Sequence, residues 1–77
     1  MYYTWKEYQQ FVDKLKIEED MENLKLYHYF DTLRWSNCYA IVFNDEIIMI
    51  SQNDIYPYDF WDGMRTMYDI LIENNKE

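Results

Sequence analysis

Residues 37–52, NCYAIVFNDEIIMISQ, restrict the fold more than any other part of the chain. Two runs rich in β-branched and aromatic residues flank Asn44-Asp45, a pair that tolerates the positive φ of a tight hairpin turn. A two-residue turn there predicts Phe43 opposite Glu46, Ile41 opposite Ile48 and Tyr39 opposite Ile50. Both faces of such a hairpin carry apolar side chains, so it must be central in its sheet or covered on both sides. Cys38, at its start, is expected to pack as a small apolar residue.

The flanking segments supply the cover. Thr4–Lys16 reads as a helix: Thr4 and Glu7 fit a capping box. Trp5, Tyr8, Phe11, Val12 and Leu15 recur at helical spacing, and Lys14 and Lys16 suit the negative pole. Residues 17–23, IEEDMEN, read as a charged connector. The next stretch, LKLYHYFDTLRW, fits two periods. By twos, Leu24, Leu26, His28 and Phe30 share one face, with Lys25, Tyr27, Tyr29 and Asp31 opposite. By helical turns, Met21, Leu24, Tyr27, His28 and Phe30 approach one stripe. The density of aromatic residues favours the strand.

After residue 51 a second helix is expected, with Pro57 in its first turn, where a missing N–H costs nothing. Asp59 and Asp62 lie near its positive pole. Phe60, Trp61, Met64, Met67, Tyr68, Leu71 and Ile72 form a wide apolar stripe. Gly63 inside this helix costs about 1 kcal/mol relative to alanine. It reads either as a point of close approach for another element or subunit, or as a tolerated flaw. The sum is an α+β domain in which two helices flank a small antiparallel sheet of about three strands, ordered α-β-β-β-α. The alternative is α-α-β-β-α, with 19–33 helical.

A chain of 77 residues makes one compact domain. Its single cysteine excludes a disulfide framework, and no zinc spacing replaces it. Stability must come from apolar burial, for which nine tyrosines, three tryptophans and four phenylalanines are ample. So many rings exceed what a small core holds, and spare aromatic surface offers a homodimer contact or a partner-binding patch. No apolar run spans a bilayer and no leader pattern opens the chain. The expectation is a soluble cytoplasmic protein with Cys38 as a free thiol.

No motif names a reaction. His28 is the only histidine, so no second one completes a metal-ligand set. Cys38 sits in a β run with no histidine nearby in sequence. The fragments NDE and QND lack the glycine and spaced acids of a calcium loop, and there is no phosphate-binding glycine loop. The reading is a non-enzymatic protein without cofactor, metal or catalytic residues.

What remains is acid. The net charge is −8, which disfavours direct contact with nucleic acid or an anionic membrane and steers a basic partner inward. The acid is uneven: over 44–75, Asp45, Glu46, Asp54, Asp59, Asp62, Asp69 and Glu73 face Arg65 alone, whereas ordinary solvated helices interleave both signs. On the second helix, Asp62 to Asp69 spans about 10 Å and Asp69 to Glu73 about 6 Å, of the order of the phosphate repeat along a nucleic-acid strand. Asp45, Glu46 and Asp54 would extend this row into a carboxylate ridge, and Glu18, Glu19, Asp20 and Glu22 could enlarge it.

Small size, acidity, aromatic richness and the absence of a catalytic motif together resemble the phage-encoded host-takeover proteins that mimic DNA. That class includes inhibitors of the histone-like nucleoid protein, the sliding clamp, uracil-DNA glycosylase and CRISPR effectors. The resemblance lies in composition and carries no residue assignments. It implies a basic DNA-binding host protein as partner, a place in the host cytoplasm, and often a homodimer. Two other functions fit the same residues: an immunity or antitoxin-like protein that neutralises a basic toxin, or a small structural subunit that binds through aromatic surface.

Overall fold

In the computed structural model, which describes residues 3–74, the hairpin forms about Asn44-Asp45 as its turn chemistry requires. Both residues have positive φ, 50° and 69°, the backbone of a type I′ turn whose twist matches the flanking strands. Phe43 opposes Glu46 as expected, but the register then shifts by one residue. A bulge at Ile48 sets Ile41 opposite Met49 and Tyr39 opposite Ser51, not Ile48 and Ile50. One residue of slip exchanges the faces of all that follow, and it turns Ile50 toward the cluster around Tyr8.

The sheet has four strands, one more than expected: β1 (Val12–Met21), β2 (Leu24–Asp31), β3 (Ser36–Phe43) and β4 (Glu46–Ser51). They form an antiparallel meander in the order β1-β2-β3-β4. The added strand comes from the expected first helix. The capping box is present, with Glu7 N–H donating to Thr4 Oγ1 (3.1 Å) and Thr4 N–H to Glu7 Oε1 (3.0 Å). Yet α1 covers only Trp5–Tyr8, a 3-10 turn follows over Gln9–Phe11, and the chain becomes β1 at Val12. The physical reason lies in β1 itself. It carries register irregularities between Asp13 and Lys16 and between Ile17 and Glu19, and Lys14 has φ 53°. Bulges break the two-residue alternation, so Phe11, Val12 and Leu15 imitate helical spacing. The expected connector is likewise mostly strand, and the turn narrows to Glu22 and Asn23.

Leu24–Asp31 is a strand, as its aromatic density indicated, and its alternation sorts the core into two layers. Tyr29 joins Cys38, Ala40 and Val42 on one face, where they receive Trp5 and Tyr8, with Phe11, Tyr27, Ile47 and Ile50 packed around them. Leu24 and Leu26 join Ile41 on the other face, beneath Trp61 of α2 (Tyr58–Asn74), with Met64 and Tyr68 beside it. The hairpin is thus covered on both sides, although β4 is an edge strand. Pro57 stands just ahead of α2, and its carbonyl accepts the Trp61 N–H at 2.8 Å.

The apolar stripe of α2 is only partly used. Trp61 is buried and Met64 and Tyr68 are half-buried, but Phe60, Met67, Leu71 and Ile72 are 43%, 61%, 55% and 44% exposed. For Leu71 and Ile72 the cause is a mismatch of lengths. The Tyr68 ring already meets Phe43, the last residue of β3, at 6.2 Å between centroids. A 17-residue helix is about 25 Å long, so its final turns run past the sheet and leave the molecule 45 Å in its longest dimension.

Candidate functional site

The seven acids expected to carry function are all exposed, and they fall into three settings. Asp62, Asp69 and Glu73 lie within about 40° of one another around α2 at 100° per residue, with Asp59 flanking them, on the side turned away from the sheet. Asp45 and Glu46 are tied to the start of α1: Asp45 Oδ1 accepts the Lys6 N–H at 3.1 Å, its carbonyl accepts the Trp5 N–H at 2.9 Å, and Glu46 bridges to Thr4. Asp45 therefore serves as an anchor for the helical turn. Asp54 accepts from His28 Nε2 at 2.7 Å; a carboxylate can only accept, so this nitrogen carries the proton.

The His28–Asp54 contact opens onto a row of rings. His28 stacks on Tyr39 (4.4 Å between centroids), Tyr56 meets Tyr39 edge-on (5.1 Å), and Tyr58 lies beside Tyr56 (4.5 Å). The row thus passes from β2 across β3 to the start of α2. Burial pushes the Tyr39 phenol upward, and the charges of Asp54 and Glu18 add to the push. Burial likewise raises Tyr56, helped by Glu19, Glu18 and Asp62. Carboxylates from β1, from the 53–54 turn and from α2 thus converge on these tyrosines. Glu18 and Glu19, read from sequence as connector acids, become part of the surface because β1 extends through them.

Among the described residues the ion pairs are Lys16–Glu18, Lys25–Asp20, His28–Asp54 and Arg34–Asp31. None of them includes Asp59, Asp62, Asp69 or Glu73, so the α2 row keeps its charge uncompensated. Of the seven acids expected in one ridge, Asp59, Asp62, Asp69 and Glu73 share the row on α2, Asp54 stands by the tyrosines, and Asp45 and Glu46 stand apart at the β3–β4 turn against α1.

One polar cluster had no counterpart in the sequence reading. Asp31 is the buried acid, fully enclosed, and its carboxylate is saturated with donors. Oδ1 accepts the Leu33 and Arg34 N–H groups (2.8 and 3.0 Å). Oδ2 accepts the Tyr8 hydroxyl and Arg34 Nη1, the latter at 2.9 Å. Arg34 Nη1 also donates to the Tyr8 hydroxyl (2.9 Å), and the Tyr29 hydroxyl lies 3.5 Å from it. The local half of this arrangement, an aspartate bonding backbone two and three residues on, is a turn signature. Its other half comes from α1 and follows from tertiary packing alone.

Tyr8 and Arg34 also line a cavity of about 570 Å³ with Tyr3, Leu33, Glu46 and residues 47–50. Its wall is apolar apart from Arg34, Glu46 and the tyrosine hydroxyls, and Asp31 already engages the guanidinium. Cys38 is buried, and its thiol is pushed upward by burial first and then by the Asp31 charge. No group of three or more metal-ligating side chains occurs among the described residues, and no helix among them is long and apolar enough to cross a membrane. No family model, curated protein or solved structure matches the chain.

Proposed function

We propose that the chain is an acidic, DNA-mimicking protein that binds a basic DNA-binding protein and occupies its nucleic-acid site. The observation that carries this reading is the row Asp62, Asp69 and Glu73, with Asp59 beside it: exposed on one side of one helix and without an ion pair among the described residues. A helix fixes the spacing of these charges, so lysines and arginines arranged for phosphates meet carboxylates at comparable intervals. The acid-ringed tyrosines extend the surface, and Tyr58, 67% exposed, offers a ring face to an incoming guanidinium or ammonium. Affinity then arises largely from ion pairing and falls as salt rises.

Competition on defined targets tests this. A bacterial histone-like nucleoid protein and a sliding clamp, each loaded on labelled duplex, are titrated with the chain at low and moderate salt. Displacement is expected from at least one, weakening steeply with salt. Reversal of Asp62 and Asp69 to lysine should abolish displacement while the far-ultraviolet circular dichroism is unchanged. Displacement that survives both reversals would overturn the reading, as would none from any nucleic-acid-binding protein tried.

A further inference from the structure

We infer that α2 pairs antiparallel with α2 of a second copy of this chain, along a seam formed by Phe60, Met64, Met67 and Leu71. These residues step by four, three and four, the a/d spacing that accepts the side chains of another helix as knobs in holes. Met64 is half-buried against its own sheet, while Phe60, Met67 and Leu71 are exposed by 43%, 61% and 55%. This spacing suits a helical occupant.

The placement of charge permits a second copy. The positions bordering the seam are Trp61 and Tyr68 on the sheet side and Gly63 and Ile70 on the open side, none of them charged. Asp62, Asp69 and Glu73 project from the opposite flank at 100° per residue. Two chains of net charge −8 can therefore meet along this seam with both acid rows facing outward. The basic partner of the proposed function is drawn to the other flank, so both contacts can form together.

The overhang selects the direction. Packing against the sheet covers the Trp61 end of α2, whereas Ile70 and Leu71 lie beyond it, 54% and 55% exposed. An antiparallel pair sets Phe60 of one copy against Leu71 of the other, and Met64 against Met67, so each overhang is covered by the other copy's first turns. Such a contact is two-fold and closed, and opposed helix dipoles favour it.

Gly63 supplies a separate observation. A Cβ built there meets nothing within 4 Å in its own chain, so no intrachain contact accounts for a glycine that costs the helix about 1 kcal/mol relative to alanine. In the antiparallel pair Gly63 lies beside Ile70 of the other copy, a small residue against a large one.

Sedimentation equilibrium of the full chain over a wide concentration range tests the inference. A monomer–dimer equilibrium is expected. Met67→Glu and Leu71→Glu should each raise the dimer dissociation constant by about tenfold or more without changing the circular dichroism of the monomer. Ile55→Glu, at a residue 59% exposed but outside α2, should leave it unchanged. The double reversal of Asp62 and Asp69 should also retain the dimer, which separates this result from the fate of the proposed function. A monomer at every concentration overturns the inference, as does a dimer that Met67→Glu and Leu71→Glu leave intact.

Discussion

Asp31 shows how a buried charge can be made safe in a small domain. Desolvating a carboxylate is expensive unless its lone pairs are met. Here two backbone N–H groups, a tyrosine hydroxyl and a guanidinium meet all of them. The Tyr8 hydroxyl is the pivot, since it donates to Asp31 and accepts from Arg34. Tyr8→Phe keeps the ring packed between Trp5 and Tyr29 but leaves both polar partners short of a bond. We expect a loss of about 1–3 kcal/mol in urea unfolding, without a change in fold. Only the Asx half of this cluster carries a local sequence signal, and it too went unread. Tyr8 lies 23 residues away, and nothing local marks it as a partner rather than as one more ring in an apolar stripe.

At the level of elements, legibility followed how local the determining physics is. The β3–β4 turn was readable because Asn44-Asp45 encode their own backbone. The bulge at Ile48 was not, because it depends on which side chains the two faces accept. The start of α1 was readable from its capping box, but its end was set by β1 pairing with β2. The apolar spacing of α2 indicated a face correctly and could not indicate how much sheet lay beneath it. The capping box gives α1 a direct test. With only four residues in the helix, its own hydrogen bonds cannot sustain it, so cap and core contacts must. Thr4→Ala is expected to cost about 1 kcal/mol, measured by thermal unfolding. It should also speed amide exchange at Glu7, whose N–H donates to the Thr4 hydroxyl.

For the molecule as a whole, the buried hydroxyls and the thiol set an upper limit of pH. Burial raises Tyr29 well above its ordinary 10.0, and burial also raises Tyr39, Tyr56 and Cys38. Below the unfolded thiol value of 9.0, all four groups are predominantly protonated in both states, and their contribution is complete. As pH climbs through the unfolded values, the unfolded chain releases protons that the folded chain still holds, so stability falls. Unfolding midpoints followed by circular dichroism should therefore drop from about pH 9–10 upward, and Tyr29→Phe should drop less steeply over that range.

A single sheet standing between two apolar clusters has a further effect. Side chains that alternate along β2 and β3 report to opposite layers, so a change beneath α1 and a change beneath α2 touch different neighbours across the backbone. Substitutions on the two sides should combine by simple addition, as distant sites do. The layer under α1 can then be repacked to strengthen the scaffold while the layer under α2 stays as it is, each drifting without the other's consent.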